Sequence, residues 1–130
     1  ALIVDFGAGT VRAGASLQAV RRHRPAEILE APGETDLTAH VPFPLLARAA
    51  TEAGATAHGP VQQGTLLCAL GIETRARTLT ANASPQQARA IASALHRLTA
   101  AEEMGELFKA LALSPPGAGT PAGFPDRDRG

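Results

Sequence analysis

The sequence predicts an α/β fold, on three observations. Ala1-Leu2-Ile3-Val4 is a continuous apolar run ending at Asp5 and Gly7, the pattern of a strand covered on both faces in a parallel sheet. Ala55 to Val61 and Leu107 to Leu113 are two further strand-like runs. Between these runs, apolar residues recur at helical spacing.

Taken in order, Gly7, Gly9 and Gly14 end the first strand. Arg21, Arg22, His23 and Arg24 form a basic cluster before Pro25, which reads as a solvated face or turn. Pro32-Gly33 is a turn signal, and Glu34, Asp36, Thr38 and His40 follow it before an apolar helical pattern begins. Such a loop can line a pocket, because loops carry function on a rigid scaffold. It can equally be the approach to a helix, with Asp and Thr satisfying free backbone N–H groups. Pro42 or Pro44 suits a helix start, where the missing N–H costs nothing. Leu45, Leu46, Ala49, Ala50 and Ala53 then keep helical spacing, and Gly54 is a stop.

The second strand, Ala55 to Val61, is broken by Gly59-Pro60. Leu66, Leu67, Leu70 and Leu79 predict a helix between Gln62 and Thr80, bent at Gly71. Ser84-Pro85-Gln86-Gln87 places Ser at a cap, Pro at the first helical position and Gln three residues after the cap. Ala88, Ile91, Leu95 and Leu98 form that helix's apolar stripe. Thr99 and Glu102 repeat the capping pattern and predict a short helix through Met104. From Ser114 to Gly130, Pro, Gly and small or polar residues read as a flexible tail.

Composition narrows the function. The 130 residues suffice for one small domain, and the formal net charge is +0, so nothing favours nucleic acid or an anionic membrane surface. Aromatics are 3%, with no Trp or Tyr, so stacking platforms for single strands are absent. Cys68 is the only cysteine, which leaves no intrachain disulfide; between Leu67 and Ala69 it reads as a small core residue. No apolar run approaches a membrane span, and Ala1–Val4 lacks the features of a signal peptide. The default expectation is a cytoplasmic protein. His23, His40, His58, His96 and Cys68 lack the ligand-pair spacing of a metal site. Asp5-Phe6-Gly7 is a tripeptide found in protein kinases, but the other kinase elements are absent.

The run Pro32, Gly33, Asp36, Leu37, Thr38, Val41 and Phe43 resembles the signature of the MidA family of class I S-adenosylmethionine-dependent methyltransferases. Pro42 departs from it, standing where the family has Asp. Ala1 to Gly7 is similar to the family's strand ending in Asp-Tyr-Gly, with Phe6 for Tyr. Leu17-Gln18-Ala19, Gly59-Pro60 with Gln63, Leu70-Gly71-Ile72 with Arg75, Met104-Gly105 and Phe108-Lys109 are similar to further stretches in order. So many ordered matches are more specific than any one motif.

The resemblance implies the C-terminal part of a Rossmann-like sheet. Its strands five, six and seven would be Ala1–Phe6, Ala55–Val61 and Leu107–Leu113, in the order five, seven, six with seven antiparallel. Residues 1–113 would belong to the methyltransferase domain, 62–104 as a helical insertion, and 114–130 to the tail. No strand–glycine–helix unit with a ribose-binding acid follows the first strand, and the chain begins without Met. S-adenosylmethionine is therefore expected on a missing N-terminal half, leaving this chain inactive alone. The exposed edge of strand five is expected to make the chain marginal in stability, or to let it aggregate or pair edge to edge as a homodimer. The implied reaction is methylation of protein arginine, by family analogy in a subunit of respiratory complex I.

A guanidinium acceptor must be held by carboxylates. Asp5 stands at the C-terminal end of its strand, where ligands bind in open α/β sheets. The candidate catalytic residues are Asp5, Asp36 and His40, the last able to take up a proton; Glu34 and Thr38 are candidate substrate-binding residues. Two other classes stay open. Ile3 to Thr10 with Gly14 is similar to the first phosphate loop of the actin and sugar-kinase superfamily, in which backbone N–H groups cradle phosphates. A non-enzymatic module binding a partner protein through its helical insertion is the other.

Overall fold

The computed structural model describes residues 1–10, 16–22 and 24–126. Gly14 and His23, and the chain end from 127 to 130, lie outside the described residues. The first apolar run forms β1 (Leu2–Ala8), and Leu107 to Leu113 becomes β7 (Phe108–Ser114). Between them run β2 (Gln18–Arg21), β3 (Arg24–Ala26), β4 (Asp36–Thr38), β5 (Val41–Pro42), α1 (Phe43–Glu52), β6 (Thr56–Gln62), α2 (Gln63–Ala69), α3 (Ile72–Ala81) and α4 (Pro85–Thr99).

The main sheet has the order β5-β1-β7-β6, with β7 antiparallel to both long neighbours. Its register pairs Leu2 with Ala112, Asp5 with Lys109 and Phe6 with Phe108. β7 is central and is the most deeply buried strand, with Ala110 and Leu111 at 0% exposure. Pro60 is tolerated because β6 is an edge strand, and the register shifts between His58 and Val61 around the cis Gly59–Pro60 bond. Phe43, Ala57 and Leu111 form the core, with Ile3, Val41, Leu46 and Ala47 packed on them. Of the expected stripe, Leu46 faces the sheet while Leu45 and Ala49 are exposed; Phe43 and Ala47 complete the face by which α1 docks.

The edge of β1 expected to be bare is partly covered: β5 pairs with it in parallel at Gly7 and Ala8. Leu2 and Val4 remain exposed. Residues 18 to 38, read from the sequence as turns and loop, instead build a second sheet of order β3-β2-β4. Arg22, at φ 50°, turns the chain between its first two strands.

The helix expected over Gln62 to Thr80 is two helices, α2 and α3. Gly71 at φ 84° supplies the left-handed residue between them. Ser84 makes the expected capping box: the Gln87 N–H donates to Ser84 Oγ and the Ser84 N–H donates to Gln87 Oε1. The second box is corrected. Thr99 Oγ1 donates back to the Leu95 carbonyl at 2.8 Å, so it caps nothing ahead of it. Ala101–Gly105 forms the expected short helix as a π-helical turn kinked at Glu103 (φ −112°, ψ −132°), but Ala100 and not Thr99 stands at its cap. Cys68 is also corrected: it is exposed, because α2 buries Gln63, Gly64 and Leu66 instead. After β7 the chain turns back on the body. A Cβ placed on Gly123 would come 2.6 Å from Leu66 Cδ1, and the ring of Phe124 lies beside Gly59.

Candidate functional site at the strand ends

The C-terminal end of β1 and the start of β7 meet at one rim of the main sheet. A cavity of about 420 Å³ opens there, lined by Gly7, His40, Glu102, Glu103, Glu106 and Lys109 among others. Rims beyond strand ends are where open α/β sheets bind ligands. Each wall has a local cause. Gly7 is the residue at which β1 turns to pair with β5, and its backbone lies so close to Val41 that a Cβ would sit 2.3 Å from that carbonyl. His40 immediately precedes β5 and is fixed edge-on against Phe6, ring centroids 5.1 Å apart at 78°. Phe6 in turn meets Phe108 of β7 at 6.2 Å.

The opposite wall comes from the Ala101–Gly105 turn and the residues after it. Glu102, Glu103 and Glu106 contribute three carboxylates. Lys109 contributes one ammonium, which donates to the backbone carbonyl of Glu106. Glu102 also has an ion-pair contact with His96 at 3.6 Å. Acid outnumbers base on this wall, so it favours a cationic group. Among the described residues no group of three His, Cys, Asp or Glu is close enough to hold a metal ion. A planar organic cation that spreads its charge over several donors suits separated carboxylates better.

Of the residues picked out by sequence, His40 lines this cavity. Asp5 sits on β1 opposite Lys109, and its Oδ1 accepts the Phe6 N–H at 2.8 Å. Asp36 and Thr38 lie on β4, paired with Val20 and Gln18 of β2. Glu34 is ion-paired with Arg21, which Glu30 also approaches at 3.8 Å. The three glutamates were missed. Their signal was three Glu within five residues around Gly105, and Glu102 had been read as a capping partner. A larger groove, about 510 Å³, belongs to α3 and α4 alone and is lined by residues such as Ala76, Ile91 and Leu95.

Residues 1–61 match a family described as "Putative S-adenosyl-L-methionine-dependent methyltransferase". This chain resembles the MidA family of methyltransferases. It is 36% identical over 116 residues to the mitochondrial protein arginine methyltransferase NDUFAF7 homolog of Drosophila melanogaster, covering 88% of this chain and 26% of the relative. The human mitochondrial protein arginine methyltransferase NDUFAF7 is 31% identical, with the same coverage. The chain therefore spans about a quarter of the length of the curated relatives it matches. Among solved structures, a Burkholderia thailandensis protein aligns with a TM-score of 0.80 at 32% identity, over 95% of this chain and 34% of that one. Another from the same organism, described as a "likely methyl transferase" bound to S-adenosyl-homocysteine, aligns with a TM-score of 0.76 at 31% identity, over 94% of this chain and 33% of that one. The expectation of a cytoplasmic protein is corrected by these relatives: the curated ones are named mitochondrial.

Proposed function

We propose that this chain forms the acceptor side of an S-adenosylmethionine-dependent methyltransferase that modifies a guanidinium nitrogen of arginine in a protein substrate. The observation that carries the reading is the rim cavity, with three carboxylates on one wall and His40 on the other. The names of the curated relatives and the S-adenosyl-homocysteine bound to a structural neighbour support it. On this reading β1, β6 and β7 correspond to strands five, six and seven of the family sheet, and α2 to α4 to its insertion.

The described residues do not fit the cofactor. A cradle for it needs open glycine backbone running from a strand into a helix. Gly7 is filled by the Val41 carbonyl and the Phe43 ring, and β1 leads into no helix among the described residues before α1. S-adenosylmethionine is therefore assigned to no described residue. Its contribution when bound is an electrophilic methyl group.

What the chain's own residues supply is orientation and proton uptake. Glu102 and Glu103 hold the guanidinium fork by charge-assisted hydrogen bonds, which fix its plane. Methylation of a guanidinium nitrogen releases one proton, and His40 is placed to accept it. Neither ring nitrogen of His40 has a hydrogen-bond partner among the described residues. Asp5 braces this arrangement from the strand, through the Phe6 N–H. Asp36, Glu34 and Thr38 would contact flanking parts of a protein substrate, for which a complex I subunit is the family precedent. A homodimer through the remaining β1 edge is the assembly this reading allows.

The test is methyl transfer by the full-length enzyme from isotopically labelled S-adenosylmethionine to a mitochondrial protein extract. Label should be recovered as methylarginine after hydrolysis, and His40→Ala should reduce it severely. Label recovered on lysine or on a carboxylate would overturn the reading.

A further inference from the structure

The wall that carries the cavity's carboxylates is held from behind by the start of α2. A helix leaves its last four backbone carbonyls without partners inside the helix. At the end of α4 the carbonyls of Leu98, Thr99 and Ala100 meet four residues outside it, Gln63, Gly64, Glu103 and Gly105. Gln63 is buried at 7% exposure, and its Nε2 donates to the Leu98 carbonyl at 3.0 Å. The Thr99 carbonyl sits between two glycines: a Cβ on Gly64 would lie 2.6 Å from it, and one on Gly105 2.1 Å. The Ala100 carbonyl accepts the N–H of Gly105 at 2.9 Å and of Glu103 at 3.2 Å. Glu102 and Glu103 leave the chain between these anchor points.

We propose that Gln63, seated by Gly64, is a positioning residue for the acceptor cavity: by fixing the end of α4 it sets where Glu102 and Glu103 stand, and so tunes affinity for a guanidinium it does not touch. This deepens the arginine-acceptor reading and rests on it. The arrangement has the logic of an outer shell that orients groups contacting a ligand. Gln63 is the one polar side chain of α2 that is buried, and its donor goes to the carbonyl four residues before Glu102. A glutamine needed only for packing could be replaced by methionine of similar shape with little effect.

The experiment uses the full-length enzyme with Gln63→Met and Gln63→Glu, both of which lose the donor, and N-acetyl-L-arginine amide as probe, with its lysine counterpart as control. Both variants are expected to bind the arginine probe roughly tenfold more weakly, the scale of one lost buried hydrogen bond. Affinity for S-adenosyl-homocysteine should not change, and in turnover of an arginine peptide KM should rise while kcat is kept. Amide exchange at Glu103 and Gly105 should accelerate, with α3 unaffected. Wild-type affinity for the probe in both variants would overturn the proposal, as would an equal loss of cofactor affinity. If the unaltered enzyme itself ignores the arginine probe, the acceptor reading fails, and exchange at Glu103 and Gly105 in the variants still decides whether Gln63 holds the turn. If the variants do not fold, the unaltered enzyme decides: arginine probe must slow exchange at Gly105, and an unchanged rate rejects the coupling.

Discussion

The ring of Phe6 meets the ring of His40 edge-on, at 5.1 Å between centroids and 78° between planes. Phe6 is on β1 and His40 is one residue before β5, so this contact links the strand's end to the loop that carries the imidazole. Phe6→Leu removes the aromatic edge and frees the imidazole. The expected cost is about 1–2 kcal/mol in stability, read from denaturant midpoints. Phe6→Tyr keeps the ring and should lose far less. Methyl transfer should fall in Phe6→Leu beyond what its stability loss explains.

Glu103 and Asp36 separate two versions of the acceptor site. Glu103 lines the rim cavity, whereas Asp36 pairs with Val20 on the smaller sheet. Glu103→Gln should weaken capture of an arginine peptide by roughly tenfold, since one charge-assisted bond is lost. Asp36→Asn should matter less, and steady-state kinetics on both variants measures the difference. A larger defect from Asp36→Asn would move the acceptor onto the β4 segment.

Gly7 has no space for a side chain. A Cβ there would come 2.3 Å from the Val41 carbonyl and 2.9 Å from the Phe43 ring. The first obstacle is backbone, which cannot swing aside as a side chain would. Gly7→Ala should therefore destabilise by about 2–3 kcal/mol and detach β5 from β1. A thermal scan, with amide exchange at Val41, is the measurement.

Ser84 begins α4 with a reciprocal pair of hydrogen bonds to Gln87. Ser84→Ala should cost about 1 kcal/mol, and Ser84→Asp should recover most of it. The effect should appear as fraying of the first turn of α4, with the rim cavity unchanged.

Much of the main sheet and its helices was legible, because Ala1–Val4, the Leu45–Ala53 stripe and the Ser84 cap each carry a strong local signal. The smaller sheet was not. Gln18–Arg21 and Arg24–Ala26 have neither alternation nor β-branched enrichment, and Pro25 within a strand speaks against one. It survives there because β3 is an edge. The cavity was half legible. His40 stood out as the polar residue before a helix, but Glu102, Glu103 and Glu106 meet it only through the pairing of β7 with β1, which no local pattern encodes. Thr99 misled for a related reason: its hydroxyl found the Leu95 carbonyl behind it, an outcome open to any threonine late in a helix.

The position of β7 also sets an order of events during synthesis. β1 and β6 do not touch as neighbours in the sheet; β7, the last of the four in chain order, lies between them. Until it inserts, both flanking strands lack their partner, and Gly7 and His40 wait on one side of a cavity whose other wall has not been made. A nascent chain halted before Phe108 would therefore carry the histidine but not the assembled site, and would show the open β7-facing edges of β1 and β6 to chaperones. Emergence of β7, and not the folding of the strands before it, is the moment at which this cavity comes into being.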